Sequence, residues 1–470
     1  MTPLNVPWLE VGILLAVLGA MCVSRVRDPQ RAARLGMAFT AGVFLCTVLA
    51  WASFALGAAS DAWSVQSGLG SSQFFGLDNL SAPLLVVAAL LHFLTALATP
   101  GTKMRRYSFS WSLFSEAIRL ATFSCREPWI LIALVAINTV PPVVELLNRG
   151  QSPRLYALHM ALFVGLLVVG WALLDPSGSH PTRSGWATAC LLAAVLVRCG
   201  TVPAHCWVTD WFEHASFGNA ILFATPLTGV YIALRLVFPV ASDWALQTVG
   251  IVSLATAVYA AGMALVQQEV RRFFSYLFLN NISLVLVGLE LHTSASLAGA
   301  LCLWFAVTLS LAGLGLTLRA LEARYGRLSL AEFRGLYEHS PMLAVCFLVT
   351  GLASVGFPGT LGFAASELLV VGAVESNLPT GIVVVAAAAL NGIAVVRAYL
   401  LLFTGARHFS SVSLAITARE RLVLLTLIAL VLGGGLFPQP GVAHLYGVAE
   451  QVLHTRERTD DSSCTSQTPR

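Results

Sequence analysis

Apolar stretches of membrane length recur along almost the whole of this chain, separated by short polar connections. A helix needs about 20 mostly apolar residues to cross a bilayer. Read on that ruler, the sequence predicts fourteen spans. They fall near residues 8–23, 35–56, 80–98, 107–125, 128–147, 155–174 and 186–203, then near 216–238, 246–266, 274–291, 297–318, 342–371, 381–404 and 422–436. The fourth, "YSFSWSLFSEAIRLATFSC", is polar for a span. Residues 1–437 read as a single transmembrane domain and 438–470 as a polar, disordered tail, ending in "HTRERTDDSSCTSQTPR". The fold class this predicts is an all-α polytopic membrane protein.

Composition agrees. The chain is 57% hydrophobic and 11% charged, whereas soluble domains carry about 25% charged residues. The first apolar stretch has no basic residues before it and arginines after it, which suits a first membrane helix rather than a cleaved signal. The net charge of +4 becomes informative when mapped onto connections. Connections after odd-numbered spans hold eighteen Lys and Arg residues, and those after even-numbered spans hold only Arg126 and Arg183. That bias predicts odd connections in the cytoplasm and both termini outside, in the cell's inner membrane. Nine cysteines are scattered without a CxxC pair, so neither a disulfide framework nor a zinc ribbon is expected.

Ionisable residues inside a membrane are costly and usually functional. The candidates are Glu10, His92, Glu116, Arg119, His159, Arg198, Arg235, Glu367 and Arg397. Glu10 reads as interfacial, and Arg235 and Arg397 as snorkelling side chains. Glu116 and Arg119, three apart on one helix face, read as a local ion pair. His92 and His159 fit hydrogen-bonded structural histidines better than a relay. Arg198 and Glu367 sit inside local patterns of their own.

The pattern around Arg198 is "RCGTVPAHCWVTDWFEH": Pro203 follows five residues on, His205 seven, Trp207 nine and Asp210 twelve. It resembles the seventh-helix signature of the proton-conducting, antiporter-like membrane subunits of respiratory complex I, membrane-bound hydrogenases and Mrp-type antiporters. Four more stretches are similar to that family, in order: "FGLDNLSAPLLVV", "EHASFGNAILFATPLTGVYIALR", "RRFFSYLFLNNISLVLVGL" and "GLASVGFPGTLGFAASELLV". The resemblance implies an antiporter-like fold of about fourteen helices, with helices 7 and 12 broken near Pro203 and Pro358. It also implies a mid-membrane row of titratable groups, a glutamate on helix five and lysines further on. Here this sequence departs. Ala136 falls at the glutamate position, with Asn138 the nearest polar group, and Arg198 replaces the seventh-helix lysine. Leu227 and Leu311 replace later lysines, and Glu367 is the one group retained in kind. The sole lysine, Lys103, is expected in a loop.

Arginine does not deprotonate in proteins, so the lysine relay reads as largely lost. A path for protons or ions would have to draw on Arg198, His205, Asp210, Glu367, Asn138, Glu116 and His159. Arg198 calls for a nearby acid or several carbonyls, to be supplied by Asn138, backbone or Glu116. Glu367, beyond the Pro358 break, is expected in a buried polar pocket. Cys199, His205, Cys206 and His214 match no standard zinc spacing, so no metal is expected. No haem, iron–sulfur or nucleotide motif occurs, and no cofactor, catalytic set or nucleic-acid partner is read.

The leading functional expectation is a non-redox membrane subunit of an energy-converting or ion-translocating complex, resembling the NADH-quinone oxidoreductase and antiporter subunits. Its partners would be other membrane subunits and the lipid bilayer. The alternatives are the membrane half of a two-component inorganic-carbon transport system with a soluble cytoplasmic partner, and a non-conducting scaffold. A membrane-embedded hydrolase using His205, Asp210 and His214 fits least well.

The charge bias makes a topological prediction. Alkaline phosphatase fused after Ser462 should be active, and the same reporter inserted between Arg319 and Arg334 inactive. The reverse pattern would overturn the fourteen-span topology.

Overall fold

The computed structural model describes residues 7–57, 74–99, 107–174, 185–224, 227–291, 293–405 and 416–465. Lys103, Arg105, Arg106, Arg183 and Arg407 lie outside them. Regular structure among the described residues is helical, apart from two isolated antiparallel bridges, Phe75 with Cys125 and Glu269 with Ser329. The chain divides into two compact units, Met1–Gly150 and Gln151–Arg470.

The first unit holds α1 (Trp8–Ser24), α2 (Pro29–Ala55), α3 (Ser81–Leu97), α4 (Phe109–Ser124), α5 (Pro128–Asn138) and α6 (Val140–Asn148). Asp28 caps α2, its carboxylate accepting from the Gln30 and Arg31 amides, with Pro29 at the first helical position. The polar α4 is packed against α1, α2, α3 and α5, and most of its residues are buried. Its polarity survives burial because its hydroxyls find partners. Thr122 and Ser124 donate to the Ile118 and Leu120 carbonyls of their own helix, and Ser110 donates to Ala20 of α1. Small residues bonded in this way let membrane helices approach closely.

The second unit runs through α7 (Arg154–Ala172), α8 (Gly185–Cys199), α9 (Cys206–His214), α10 (Phe217–Ala224) and α11 (Thr228–Ile232), the last continuing into a π-helical turn, Ala233–Val237. Then come α12 (Asp243–Val266), α13 (Val270–Glu290), α14 (Ser294–Tyr325), α15 (Pro341–Ala353), α16 (Leu361–Ser376), α17 (Leu378–Phe403), α18 (Ala418–Leu436) and α19 (Gln439–Thr465). The 32-residue α14 is the core of this unit, buried along nearly its whole length and packed against α13, α15, α16, α18 and α19. Its last turn is pinned by Arg324, whose guanidinium grips Glu420 at 3.0 and 2.6 Å. Glu420 also closes a capping box with Thr417 at the start of α18, so one carboxylate ends one helix and begins another.

Eight helices among the described residues are long and apolar enough to cross a membrane, or nine if α18 and the start of α19, bent by 77°, count together. Four shorter apolar helices, α1, α3, α8 and α15, fall below that length. Helix length alone therefore does not reach the expected fourteen. The seventh predicted span ends at Cys199, ahead of Pro203, and the twelfth is divided between α15 and α16.

The tail differs from expectation. From Gln439 the chain is helical, and Leu445, Val448, Ala449 and Arg456 are buried. The polar composition hid a narrow apolar stripe that α19 lays against α14. Arg456 closes the contact, donating to Asp243 at the start of α12 at 2.5 Å and lying 5.1 Å over the Phe238 ring. Truncation after Pro438 is expected to lower the melting temperature in detergent, because it uncovers that face of α14. An unchanged melting temperature would mean the segment is merely a solvated appendage.

Candidate functional site

Arg198 stands in the last turn of α8 and is only 6% exposed. No carboxylate or carbonyl meets it among the described residues of its unit; aromatic faces do. Its guanidinium lies 4.5 Å over the Phe223 ring and 5.5 Å over that of Trp207. Tyr156 of α7 completes the enclosure, with its ring 5.9 Å from Trp207, 5.5 Å from Trp211 and 5.9 Å from Phe223. The Trp207 indole is oriented by a 2.9 Å bond to the Val197 carbonyl. Gly229 of α11 makes the room, since a Cβ there would meet Cys199 Sγ at 2.6 Å and Arg198 Cγ at 3.3 Å. The expected acid or amide partner is thus replaced by π faces, which attract a desolvated cation by about 2 kcal/mol.

The segment after Pro203 forms a polar mouth. His205 stacks edge-on against Tyr259 at 5.3 Å, its Nε2 lying 3.4 Å from the phenol oxygen, with Tyr276 beyond. Burial lowers the His205 pKa, partly opposed by the Pro203 carbonyl. Asp210 pairs with His214 one turn on, at 3.1 Å. Burial lifts the Asp210 carboxyl above its ordinary value against the pull of that histidine. Glu213 takes Arg272 at 2.8 Å. Arg271 binds Glu322 through two 2.7 Å bonds, and its remaining arm donates to the Phe212, Glu213 and Ala215 carbonyls. The end of α9 is therefore capped by a cation from α13. Among the described residues no group of three or more His, Cys, Asp or Glu side chains is placed to hold a metal.

Glu367 departs from expectation in its setting. It is exposed, on the rim of a cavity of about 480 Å³ lined by Leu352, Phe357, Pro358, Phe363 and Val385. The break before α16 opens an apolar groove rather than a polar pocket, because residues 354–360 bond back onto the end of α15 and to one another: Phe357 N–H donates to Leu352 and Thr360 Oγ1 to Phe357. His159 lies on α7 with Nδ1 2.8 Å from the Leu155 carbonyl, a bond within its own helix that joins it to no other candidate.

In the first unit, Asn138 ends α5 and is buried, its Oδ1 without a hydrogen-bond partner among the described residues. Glu116 is fully buried in α4, and neither carboxylate oxygen has a hydrogen-bond partner among the described residues. The expected Glu116–Arg119 ion pair does not close; Arg119 acts on Glu116, and on His92 of α3, through electrostatics at longer range. The site residues are therefore split, with Glu116 and Asn138 in one unit and Arg198, His205, Asp210, His159 and Glu367 in the other.

Sequence reasoning missed two features. The aromatic enclosure joins α7, α9 and α10, and no spacing within one helix announces it. The second is Glu290, at the end of α13. It lies half-buried against Leu192, Val195, Val237 and Phe238, in a cavity of about 20 Å³. A Cβ at Gly250 of α12 would overlap its carboxylate.

A family described as NADH:quinone oxidoreductase/Mrp antiporter, TM, matches residues 171–391. NADH-quinone oxidoreductase subunit 13 of Thermus thermophilus is 26% identical, over 66% of this chain and 71% of its own length. NAD(P)H-quinone oxidoreductase chain 4 of a Synechococcus is 24% identical, over 93% of this chain and 88% of its own. Among solved structures, a chain of respiratory complex I from Thermus thermophilus superposes with a TM-score of 0.82 at 22% identity, covering 95% of this chain and 99% of that one. A chain of the Mrp complex from Dietzia gives 0.81 at 19% identity, covering 97% and 98%. The matched segment, the relatives aligned over most of the chain and the shared fold make this chain similar to the antiporter-like membrane subunits of these complexes.

Proposed function

We propose that this chain is a membrane subunit of an ion-translocating complex, and that any proton path through it does not use the lysine relay. The observation that carries this reading is Arg198 in its aromatic enclosure. A desolvated lysine drops in pKa and can pass a proton, whereas an arginine keeps its charge. A cation held by π faces needs no carboxylate that would have to titrate with it. Arg198 then acts as a fixed charge that shapes the local potential. The titratable groups left to a path are His205 and Asp210 at the mouth, Glu367 beside its groove, and Glu116 in the first unit, where Asn138 adds a polar but non-titrating amide. His159, tied to its own helix, contributes least. The relatives' names, quinone oxidoreductase and antiporter subunits, support a complex of this class. In this reading the short helices α1, α3, α4 and α8 cross the membrane too, interruptions near Pro203 and Pro358 divide spans seven and twelve, and the termini are outside.

The tagged chain, purified from its own membranes, should bring other membrane subunits with it, and the complex in proteoliposomes should acidify a dye-loaded lumen. Glu367→Gln keeps size and hydrogen bonding but cannot ionise. It is expected to reduce flux at least about tenfold, roughly 1.4 kcal/mol in barrier, with assembly intact. Unchanged flux would remove Glu367 from the path. No flux in the unmodified complex would leave a scaffold, and co-purification of a soluble zinc protein would favour inorganic-carbon transport.

Arg198 gives a separate test. Arg198→Ala is expected to destabilise the protein by about 2 kcal/mol or more through lost cation–π contacts and the void left behind. Arg198→Lys should retain folded yield and restore a titratable group. Loss of flux in the lysine variant with normal assembly would show that the guanidinium itself takes part.

A further inference from the structure

We propose that the outer face of α17 binds a phospholipid, with its phosphate on Arg397 and one acyl chain in the groove that runs from there toward Glu367. The groove begins as a depression of about 450 Å³ lined by Leu352, Gly392, Ile393, Val396 and Leu400, with Arg397 at its edge. Leu352 and Gly392 also line the cavity beside Glu367, so the two run together. Ile393 is 58% exposed and Val396 and Leu400 are exposed as well, so the groove opens sideways, where a membrane protein meets lipid.

Arg397 lies six residues before the end of α17, about 9 Å along the axis. From that depth its side chain reaches the headgroup layer. Its one hydrogen bond among the described residues is to the Gln267 carbonyl, at 3.5 Å. Other arginines of this unit are committed: Arg271 to Glu322, Arg272 to Glu213 and Arg324 to Glu420. Arg397 has no carboxylate among the described residues, and a guanidinium carries five donors suited to two oxygens of one phosphate. A second guanidinium begins one turn further on. The Arg334 amide is bonded to the Leu401 carbonyl, and its Nε is buried without a hydrogen-bond partner among the described residues.

The lining decides between a lipid and a neighbouring helix. Apart from Arg397 at its edge, the wall formed by Leu352, Gly392, Ile393, Val396 and Leu400 is aliphatic and presents no further side-chain donor or acceptor to fix the register of a helix. A helix would also need an acid opposite Arg397 and a donor opposite Glu367. A phospholipid meets the cation with its phosphate and the aliphatic wall with its chain. This inference rests on α17 lying in the membrane, not on the ion path, so each can fail alone.

A photoreactive p-benzoylphenylalanine in place of Ile393, in the full-length chain in its own membranes, should give a phospholipid adduct; an adduct with another protein would overturn the proposal. Native mass spectrometry of chain purified from bilayers of equal phosphatidylglycerol and phosphatidylcholine gives the second reading. Retained phosphatidylglycerol is expected to fall about fivefold in Arg397→Gln, matching the ~1 kcal/mol of one arginine at an anionic surface. Gly392→Phe, at a position where a Cβ makes only ordinary contact with Val355, should displace both lipids. Equal retention by the unmodified chain and both variants would also overturn it.

Discussion

The second unit depends on one charge-assisted contact, the forked grip of Arg271 on Glu322. The same guanidinium takes three carbonyls at the end of α9, so a single side chain fixes where α9, α13 and α14 meet. The last carbonyls of a helix have no partner within it, and here guanidinium groups take them, Arg327 joining Arg271 at Glu213. Once α9 is fixed, Trp207 and Trp211 are fixed with it; Trp207 is a wall of the enclosure around Arg198, and Trp211 packs on Tyr156 and Phe223 behind it. The aromatic box is thus tied to a cap whose cation comes from 56 residues further along the chain.

That order of dependence explains what could be read in advance. Helices betray themselves by apolar length, and the motif from Arg198 to Asp210 kept its order because its residues lie on consecutive short elements. The enclosure could not be read, since Tyr156, Trp207 and Phe223 are far apart in sequence and aromatic residues in apolar runs look alike. Glu367 was placed on the right helix and in the wrong medium: Pro358 announces a break, but only the fold says whether the break exposes backbone or heals itself. The C-terminal segment misled for a related reason. Its mean polarity is high, while the few apolar positions that matter, Leu445, Val448 and Ala449, recur at helical spacing.

The two units treat buried charge differently. In the second, Arg198, Arg271, Arg272 and Arg324 are met by rings, carboxylates or carbonyls. In the first, Glu116 has no hydrogen-bond partner among the described residues although it is fully buried. Burial of a carboxylate without a partner is costly.

The loop after α14 has a bearing on how this protein can vary. Four successive amides, from Arg334 to Tyr337, donate to the Leu401, Thr404, Leu402 and Phe403 carbonyls at the end of α17. The fastening is main chain to main chain. Apart from Gly335, whose φ of +61° suits glycine, it asks nothing of side-chain identity. Substitutions that change what the loop presents to its surroundings can therefore accumulate while the helix end stays anchored. Insertion of a single residue within 334–337 would shift every bond out of register at once, so this short stretch should admit a wide range of sequences and almost no change in length.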